Sequence, residues 1–329
     1  MPQALKQKKI IRWGIIGCGQ VTEVKSGPAF QQTNGFELAA VTRRNTQLAN
    51  DYAVRHNIKT VFDSADELIN SQSIDAVYIA TPPDSHKQYA VKVANAGKPC
   101  CVEKPMSSCY ADSLAIYQAF QKSKVPLFVA YYRRSLPRFQ KVKSLLESGE
   151  IGQVRHISWT YVRPPSELDL SGMPNWRTDK NIARGGYFDD LASHGLDLFG
   201  YFFGEFEMVK GIVTNQQQLY SSYDSISANW KHKNNVTGQG SWNFGGYSRV
   251  DEVVIYGEKG ELHFSIFAEQ PIRVVNQTGS QSYHIENPTH IQKYHVEAIK
   301  RQLFFSEPHP STGKSGLQTC WVMQQILGN

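Results

Sequence analysis

The stretch Ile11-Arg12-Trp13-Gly14-Ile15-Ile16-Gly17-Cys18-Gly19-Gln20-Val21-Thr22 decides the fold. Its apolar residues predict a buried strand over 11–16, which runs into a Gly-x-Gly turn at the start of a helix. Gly17 would permit the tight turn, and Gly19 would let the backbone approach a pyrophosphate at the helix N-terminus. A dinucleotide is therefore predicted to bind here, although Thr22 replaces the third glycine of the fingerprint; the residues concerned are Gly17, Cys18, Gly19, Gln20 and Val21.

Further apolar runs alternate with helical patterns up to residue 131; they lie at 36–42, 59–62, 75–81, 99–103 and 126–131. The longer runs are continuous rather than alternating, which is typical of parallel strands covered on both faces. Strand and helix in alternation predict βαβ units and a doubly wound parallel sheet. Residues 1–130 are thus predicted to form a Rossmann dinucleotide-binding domain.

The pattern changes beyond residue 130. Strands come in a block between 206 and 275, and helices are set apart at 136–147, 186–203, 291–304 and 316–327. This arrangement predicts an α+β domain over residues 131–329, for substrate binding and oligomerisation. The fold class is therefore α/β: an N-terminal Rossmann sheet followed by an α+β domain. The last helix is expected to pack back towards the first domain.

Composition limits the classes of function. The 329 residues are 40% hydrophobic and 19% charged, with a formal charge of +6, the balance of a globular protein. Basic residues are dispersed, which argues against nucleic-acid binding. No apolar run is long enough for a membrane span, and the polar start Met1 to Lys9 lacks the apolar core of a signal peptide. Five cysteines without a CxxC pair favour a reducing compartment, so a cytoplasmic protein is expected.

The end of the second predicted strand indicates the type of dinucleotide. Enzymes that use NAD usually place an acidic residue about 20 residues beyond the glycine turn, where it binds the adenosine ribose. This chain has Thr42-Arg43-Arg44 instead. Two guanidinium groups suit a 2′-phosphate, which a carboxylate would repel. Arg43 and Arg44 therefore favour NADP over NAD; solvated surface arginines are the alternative.

The run at 75–81 is followed by Thr81-Pro82-Pro83-Asp84-Ser85-His86. Ligands bind at the carboxyl ends of strands in such sheets, so Thr81 and Pro82 are predicted to form a rigid turn beside the cofactor. His86 has two interpretations. It either approaches the nicotinamide or its ribose, or makes a structural hydrogen bond in the first turn of a helix.

The ordered set of motifs resembles the Gfo/Idh/MocA oxidoreductase family over nearly the whole chain. Besides the two motifs above, the set comprises Glu103-Lys104-Pro105, Trp176-Arg177-Thr178-Asp179, Gly185-Gly186, Asp190 with His194 and Asp197, and Pro310-Ser311-Thr312-Gly313. Departures are Thr22, Arg184 and the Gly27-Pro28 pair after the glycine turn. The resemblance implies a second domain with an open, mostly antiparallel sheet whose outer face makes a homodimer or homotetramer contact. It also implies hydride transfer between nicotinamide and a hydroxyl or carbonyl carbon of a sugar, polyol or related diol.

Hydride transfer to or from an alcohol needs a path for the hydroxyl proton and stabilisation of the developing oxyanion. Lys104 can donate a hydrogen bond or positive charge to that oxygen, and the resemblance gives this lysine the same role. Glu103 is expected to pair with Lys104 or to contact the nicotinamide ribose. His194 is the leading general acid/base because histidine titrates near neutral pH. Asp190 lies four residues earlier on the same predicted helix face and can orient His194 or Lys104, or bind a neighbouring substrate hydroxyl.

Aromatic and basic residues are candidates for contact with the substrate; with Asp190 and His194 they are Tyr132, Arg134, Tyr161, Trp176 and Arg177. Each has a packing or surface role as its alternative. Asp190, His194 and Asp197 on one helix face resemble a possible metal-ligand set, but no HExxH motif is present and nicotinamide chemistry needs no metal, so none is expected.

Other functions stay open at this level. The aromatic residues are compatible with a trans-dihydrodiol dehydrogenase-like or a tetrapyrrole (biliverdin) reductase-like activity. A non-catalytic, dinucleotide-sensing regulator would bind the cofactor without turnover, and the combination of Lys104, Asp190 and His194 argues against it. The sequence predicts an NADP-dependent oxidoreductase acting on a small sugar-like or polyol-like molecule, with no nucleic-acid or membrane partner.

Overall fold

The computed structural model describes residues 8–328, which form two compact units. One unit contains residues up to 135 together with 288–317, and the other contains 136–287 and the residues from 318 onwards. The predicted boundary at residue 130 differs from this division mainly in the segment 288–317. Residues 1–7, which belong to the polar start discussed above, and residue 329 lie outside the described residues.

The first unit is built on a sheet with the strand order β3-β2-β1-β4-β5-β6. Every pairing in it is parallel, which confirms the doubly wound sheet predicted from the continuous apolar runs. The order reverses between β1 and β4, so ligands are expected beyond the carboxyl ends of these strands. The strands are β1 (Ile11–Ile16), β2 (Phe36–Thr42), β3 (Thr60–Val61), β4 (Ala76–Ile79), β5 (Cys100–Val102) and β6 (Leu127–Val129).

The second unit contains an eight-stranded sheet in the order β14-β13-β12-β11-β7-β10-β9-β8. Only β7 and β10 pair in parallel, which confirms the mostly antiparallel sheet. The strands are β7 (Val154–Val162), β8 (Phe206–Thr214), β9 (Ser225–His232), β10 (Thr237–Asn243), β11 (Val250–Gly257), β12 (Gly260–Phe264), β13 (Ile272–Asn276) and β14 (Gly279–Tyr283).

The helices of both units are α1 (Gln20–Val24), α2 (Gly27–Gln32), α3 (Thr46–Arg55), α4 (Ala65–Asn70), α5 (His86–Asn95), α6 (Tyr110–Ser123), α7 (Pro137–Glu147), α8 (Glu167–Ser171), α9 (Tyr187–Phe203), α10 (Lys293–Phe305) and α11 (Gly313–Leu327). Short 3-10 turns lie at Pro83–Ser85, Tyr132–Ser135 and Trp176–Thr178. Within residues 8–328, no helix combines the length and apolar composition needed to cross a bilayer.

The helix after the glycine turn is broken into α1 and α2. Proline at position 28 has no N–H to donate to the Val24 carbonyl, so the helical hydrogen-bond ladder stops there. Gly27 is required at the break because a Cβ on it would lie 2.3 Å from the Thr22 carbonyl oxygen. The break leaves backbone carbonyl groups of α1 open to other partners.

An aromatic cluster fills the core of the first unit. The ring of Phe30 lies 4.7 Å from that of Trp13 and 5.1 Å from that of Tyr78. Helix α10 adds Val296, Ile299 and Leu303 to the same cluster, all with 0% exposure. This burial explains why residues 288–317 belong to the first unit although they follow the second unit's sheet in the sequence.

The core of the second unit lies between its sheet and α9. Trp159 on β7 has its ring 5.8 Å from Phe199 of α9 and 5.3 Å from Trp242 of β10. A Cβ on Gly195 would lie 2.3 Å from the Trp159 ring, so glycine at this position lets α9 approach the sheet closely. The approach fixes the height of α9 above the strands, and α9 carries Asp190 and His194.

Candidate active site

The glycine turn at the carboxyl end of β1 has a geometry that fits a dinucleotide. Gly17 has a φ of +91°, and a Cβ on it would lie 2.6 Å from Thr81 Cγ2. Its N–H donates to the Thr42 carbonyl at the end of β2 (2.9 Å). Among the residues that the structure describes, and apart from the two chain neighbours, a Cβ on Gly19 would have the Gly17 carbonyl oxygen alone within 4 Å, at 3.8 Å, so open space lies beside the start of α1. A pyrophosphate can approach the backbone there.

Arg43 and Arg44 follow β2 at the same edge of the sheet. Arg43 Nη1 donates to the Cys18 carbonyl (3.1 Å), which holds its guanidinium beside the glycine turn, and Arg44 is exposed. The N-terminus of α3 begins directly after them, with Asn45 as its cap. Two cations and a helix N-terminus together suit a phosphate group. Burial raises the pKa of the Cys18 thiol to about 11, so the thiol stays neutral and its carbonyl is the group in use.

Thr81 and Pro82 follow β4, and His86 comes at the start of α5. The imidazole of His86 is fully buried, with Nε2 2.7 Å from the Thr81 carbonyl and Nδ1 3.1 Å from the Pro105 carbonyl. Burial lowers the pKa of His86. The ring thus joins the loops after β4 and β5. This corrects the expected nicotinamide contact, because a fully buried ring offers no surface to a ligand; the structural interpretation is the one observed.

Glu103 and Lys104 directly follow β5. The Glu103 side chain is only 7% exposed, and its Oε1 accepts hydrogen bonds from the Tyr78 hydroxyl (2.6 Å) and from Gln292 Nε2 (2.7 Å). Its Oε2 accepts the backbone N–H of Lys104 (3.1 Å). This bonding differs from the expected ribose contact, because the carboxylate is turned into the unit. Lys104 itself is half-buried at the carboxyl end of the strand.

Tyr132 and Arg134 follow β6 and are more buried than the sequence suggests, at 7% and 5% exposure. Arg134 Nη1 donates to the Pro310 carbonyl (2.9 Å), which attaches the end of the strand to the segment 288–317. Its neighbour Arg133 donates from Nη1 to the Tyr132 hydroxyl (3.5 Å). The substrate roles of Tyr132 and Arg134 stay predictions.

The second unit brings Trp176, Arg177 and Asp190 together. Arg177 Nε donates to Asp190 Oδ2 (3.0 Å), and its guanidinium carbon lies 4.4 Å from the centre of the Trp176 ring. His194 lies one turn further along α9, 4% exposed, with its ring 6.0 Å from that of Phe267. The arrangement presents a carboxylate, a guanidinium and an aromatic face, the groups that bind hydroxylated molecules.

Tyr161 lies near the same residues, since Phe267 packs against both Tyr161 and His194, but it belongs to the core. It is 2% exposed in the aromatic core, with its ring 5.4 Å from Phe267 and 6.5 Å from Trp159. Burial raises its pKa. The expected substrate contact therefore differs from its observed place, because Tyr161 occupies an inward position on β7 and packs against the side chains that α9 covers.

Several groups that shape the second unit were not among the residues predicted from the sequence. Arg163 Nη2 pairs with Asp169 Oδ2 (3.2 Å), and the Tyr187 hydroxyl donates to the other oxygen of Asp169, so the loop 163–182 is tied to α9. The spacing Ser166-x-x-Asp169 forms a capping box, a signal that could have been found. Asp189 accepts the Gly185 N–H (2.9 Å), and burial, helped by the charge of Asp190, raises its pKa to about 7.

The comparisons with known proteins agree with this geometry. A model of the "Oxidoreductase family, NAD-binding Rossmann fold" matches residues 11–131, and one of the "GFO/IDH/MocA C-terminal domain" matches residues 139–263. The chain belongs to the GFO/IDH/MocA oxidoreductase family. This confirms the resemblance of the motifs and makes the protein an NAD(P)-dependent oxidoreductase.

Relatives within the family are similar over different lengths. Oxidoreductase P35 of Formosa agariphila is 38% identical over 97% of this chain and 98% of its own. Levoglucosan dehydrogenase of Pseudarthrobacter phenanthrenivorans is 31% identical over 53% of this chain and 44% of its own length. The scyllo-inositol 2-dehydrogenase (NADP(+)) of Bacillus subtilis is 32% identical over 49% and 48%. The last two matches thus span about half of each relative.

A solved structure of levoglucosan dehydrogenase in complex with NADH superposes with a TM-score of 0.85 at 20% identity, covering 96% of this chain and 95% of that one. At this identity the likeness supports the two-domain fold alone. Among residues 8–328, no group of three or more histidine, cysteine, aspartate or glutamate side chains is arranged to hold a metal ion.

Proposed function

We propose that this GFO/IDH/MocA protein transfers a hydride between nicotinamide C4 of NADP and the hydroxyl or carbonyl carbon of a sugar, polyol or related small molecule. The observation that carries the proposal is the position of Lys104 at the carboxyl end of β5, on the same edge of the parallel sheet as the glycine turn. In an open α/β sheet the cofactor binds at this edge, so the lysine falls within the region where the nicotinamide is expected.

Each residue then has a definable task. The dinucleotide supplies or takes the hydride when bound. Lys104 donates a hydrogen bond to the reacting oxygen and stabilises its developing negative charge. His194 gives or takes the proton, and Asp190 orients it or binds a neighbouring hydroxyl. Arg177 and Trp176 contact the polar and apolar faces of the substrate.

The preference for NADP rests on Arg43 and Arg44 beside the start of α3, where two guanidinium groups can bind a 2′-phosphate. One relative named above is an NADP(+) enzyme, whereas another is solved with NADH, so the relatives support both dinucleotides. We therefore base the proposed preference for NADP over NAD on Arg43 and Arg44. Calorimetric titration should give a lower Kd for NADPH than for NADH.

The substrate class follows from the charged and aromatic groups on α9 and the 3-10 turn. Arg177, Asp190 and His194 offer hydrogen bonds to several hydroxyl groups, and the Trp176 ring suits the apolar face of a sugar. The relatives named for levoglucosan and scyllo-inositol support a cyclic polyhydroxylated substrate. A relative of Mus musculus named trans-1,2-dihydrobenzene-1,2-diol dehydrogenase, 29% identical over 59% of this chain, keeps the dihydrodiol alternative open.

We also propose a homodimer or homotetramer formed through the outer face of the eight-stranded sheet. Small polar side chains cover the centre of that face, where Gln239 pairs with Ser158 and Ser241 with Thr160. Met208 and Ile212 on the edge strand β8 are 55% and 71% exposed. Light scattering of the eluting protein should give at least twice the 37.1 kDa mass of one chain.

The decisive experiment combines turnover with binding. The wild type is assayed with NADPH deuterated at C4 and a panel of cyclic ketoses, inososes and aldoses, and deuterium in the product demonstrates hydride transfer. Lys104→Met should lower kcat by about 10³-fold while leaving the dinucleotide Kd within a few-fold, because the lysine acts on the reacting oxygen. Lys87→Met, which removes an exposed ion pair with Asp112 on the same unit, is the control. Dinucleotide binding with no turnover on any substrate would instead support the regulator.

A further inference from the structure

The break between α1 and α2 is closed by residues from the far end of the chain. The Val24 carbonyl, which Pro28 leaves without its helical donor, accepts a hydrogen bond from His290 Nδ1 (2.7 Å). The next carbonyl, that of Lys25, accepts the backbone N–H of Gln292 (3.3 Å). Two consecutive orphaned carbonyls of the broken helix thus hold the segment 290–292 in a fixed place.

From this place Gln292 reaches the end of β5. Its side chain is 1% exposed, and Nε2 donates to Glu103 Oε1 at 2.7 Å. The Tyr78 hydroxyl donates to the same oxygen and lies 3.1 Å from the Ser26 hydroxyl, beside the helix break. Burial, followed by the charge of Glu103, raises the pKa of Tyr78 well above its usual range, so the phenol keeps the proton that it donates.

The bonds to Glu103 bear directly on Lys104. The two donors above occupy one carboxylate oxygen, and the other oxygen accepts the backbone N–H of Lys104 (3.1 Å). A buried carboxylate that loses a donor must move towards another one or take up a proton. Either change alters the bond to the Lys104 backbone, so the amide of Gln292 controls the main chain that carries the lysine.

We propose that Gln292 is a positioning residue for Lys104, acting through Glu103, and that the segment 290–292 links the helix of the glycine turn to the loop of the lysine. The proposal rests on the proposed function, in which Lys104 acts on the reacting oxygen. A small displacement of a catalytic group from its productive geometry lowers the rate of reaction without preventing binding.

Substitutions at position 292 test this role. Gln292→Met removes the donor at similar volume and should lower kcat by about 10-fold, with the dinucleotide Kd within a few-fold of wild type. Tyr78→Phe removes the second donor and keeps the ring packing against Phe30, and the double variant should lose less than the product of the two single effects. Gln121→Glu, exposed on α6, is the matched control and should keep the wild-type kcat.

Gln292→Glu separates positioning from folding through pH. Two carboxyl groups at this distance must share a proton, and the protonated glutamic acid can donate to Glu103 as the amide does. The kcat of this variant should approach the wild-type value near pH 6 and fall well below it near pH 9. The wild-type profile of the same enzyme is the reference, since the other titratable groups of the site, Tyr78, His86, Cys101 and Lys104, are common to both.

A readout without substrate keeps this inference distinct from the proposed function. The rate at which acetic anhydride acetylates the Lys104 amine is measured by peptide mass spectrometry in wild type, Gln292→Met and Gln121→Glu. We expect the acetylation rate of Lys104 to differ several-fold from wild type in Gln292→Met and to equal the wild-type rate in Gln121→Glu. If the wild type has no turnover, the proposed function fails and this rate decides the inference. A lower melting temperature with unchanged kcat, pH profile and acetylation rate would show that Gln292 is merely structural and would overturn it.

Discussion

The two units hold their functional groups in different ways. In the first unit the contacts of two residues at the dinucleotide edge run to main-chain atoms: Arg43 donates to the Cys18 carbonyl, and His86 lies between the carbonyls of Thr81 and Pro105. In the second unit they run between side chains, as in the pairs Arg177–Asp190 and Arg163–Asp169. A contact to a main-chain carbonyl remains possible when the residue that carries the carbonyl is substituted. A contact between two side chains is lost or changed when either residue is substituted. The first unit is thus suited to one constant dinucleotide, and the second to a substrate that can differ between relatives.

The largest effect that this comparison predicts is at the glycine turn. Gly17→Ala places a Cβ 2.6 Å from Thr81 Cγ2 at a φ of +91°. We expect the dinucleotide Kd to rise by at least about 100-fold, or the free energy of unfolding to fall by roughly 3 kcal/mol, because both strain and overlap must be relieved.

Gly97→Ala is the matched control for that prediction. Gly97 also has a positive φ, +69°, but among residues 8–328, apart from its two chain neighbours, no atom lies within 4 Å of its added Cβ. The Gly97→Ala variant should lower the free energy of unfolding by about 1 kcal/mol and leave the dinucleotide Kd unchanged. Equal losses of binding in the two variants would mean that the overlap with Thr81 does not matter.

In the second unit we expect a substitution to lower turnover of the substrate while leaving dinucleotide binding unchanged. Arg177→Ala breaks the bond to Asp190 and removes the cation beside Trp176, so kcat/KM should fall by about 100-fold, with the dinucleotide Kd unchanged. Arg155→Ala, which removes an exposed ion pair of the same unit (3.6 Å to Glu258), should leave kcat/KM as it is. A weaker dinucleotide affinity in Arg177→Ala would contradict the division of labour between the units.

A smaller effect is expected for the choice of dinucleotide. Arg43→Ala and Arg44→Ala should each raise the Kd of NADPH by about 10-fold and change that of NADH by less than about threefold, since only NADPH carries the 2′-phosphate. Arg55→Ala is the control, because Arg55 on α3 is bound to Glu23 and Asp51. Parallel losses for both dinucleotides would show that the arginines support the turn rather than recognise the phosphate.

The last prediction concerns the pH dependence of stability rather than binding or turnover. Burial raises the pKa of Asp189 to about 7, so the folded chain holds a proton that the unfolded chain releases near pH 4. Stability contributed by the protonated form is complete below about pH 4 and is lost as pH rises to about 7, at no more than roughly 1.4 kcal/mol per pH unit.

Asp189→Asn removes this titration and keeps an oxygen for the Gly185 N–H. Urea unfolding at pH 5, 6 and 7 should therefore show a flatter pH dependence in the variant than in wild type. Glu258→Gln, an exposed change in the same unit, is the reference. Identical slopes for Asp189→Asn and wild type would refute the raised pKa.

The sequence predicted the parallel sheet well because each strand is a local apolar run. The bounds of β1 and β2 agree with the predicted ones, and the other four strands are shorter by only one or two residues at each end. The glycine turn could be found for the same reason: its conformational demands act within a few residues. Local patterns thus located the edge of the sheet on which Lys104 lies.

What the sequence missed depends on contacts between distant positions. Gln292 lies 189 residues from its partner Glu103, and no local pattern marks it. The Gly27-Pro28 pair is the one local sign of the contact with residues 290–292, because it breaks the helix and leaves carbonyls that another segment must bind. Tyr161 and His86 illustrate a second kind of information that the sequence lacks. An aromatic residue or a histidine near the end of a strand has the same sequence pattern whether its side chain faces a ligand or the core.

The discontinuous first unit has a consequence for how the chain is made. Its nucleotide-binding half needs Val296, Ile299 and Leu303 of α10 to complete its core, yet these residues are synthesised after the whole sheet of the second unit. A nascent chain emerging from the ribosome therefore carries an incomplete Rossmann unit until the sheet of the second unit and then α10 have been synthesised. During that interval the apolar surface around Trp13 and Tyr78 is exposed to chaperones, and full dinucleotide affinity arises only when the last helices appear.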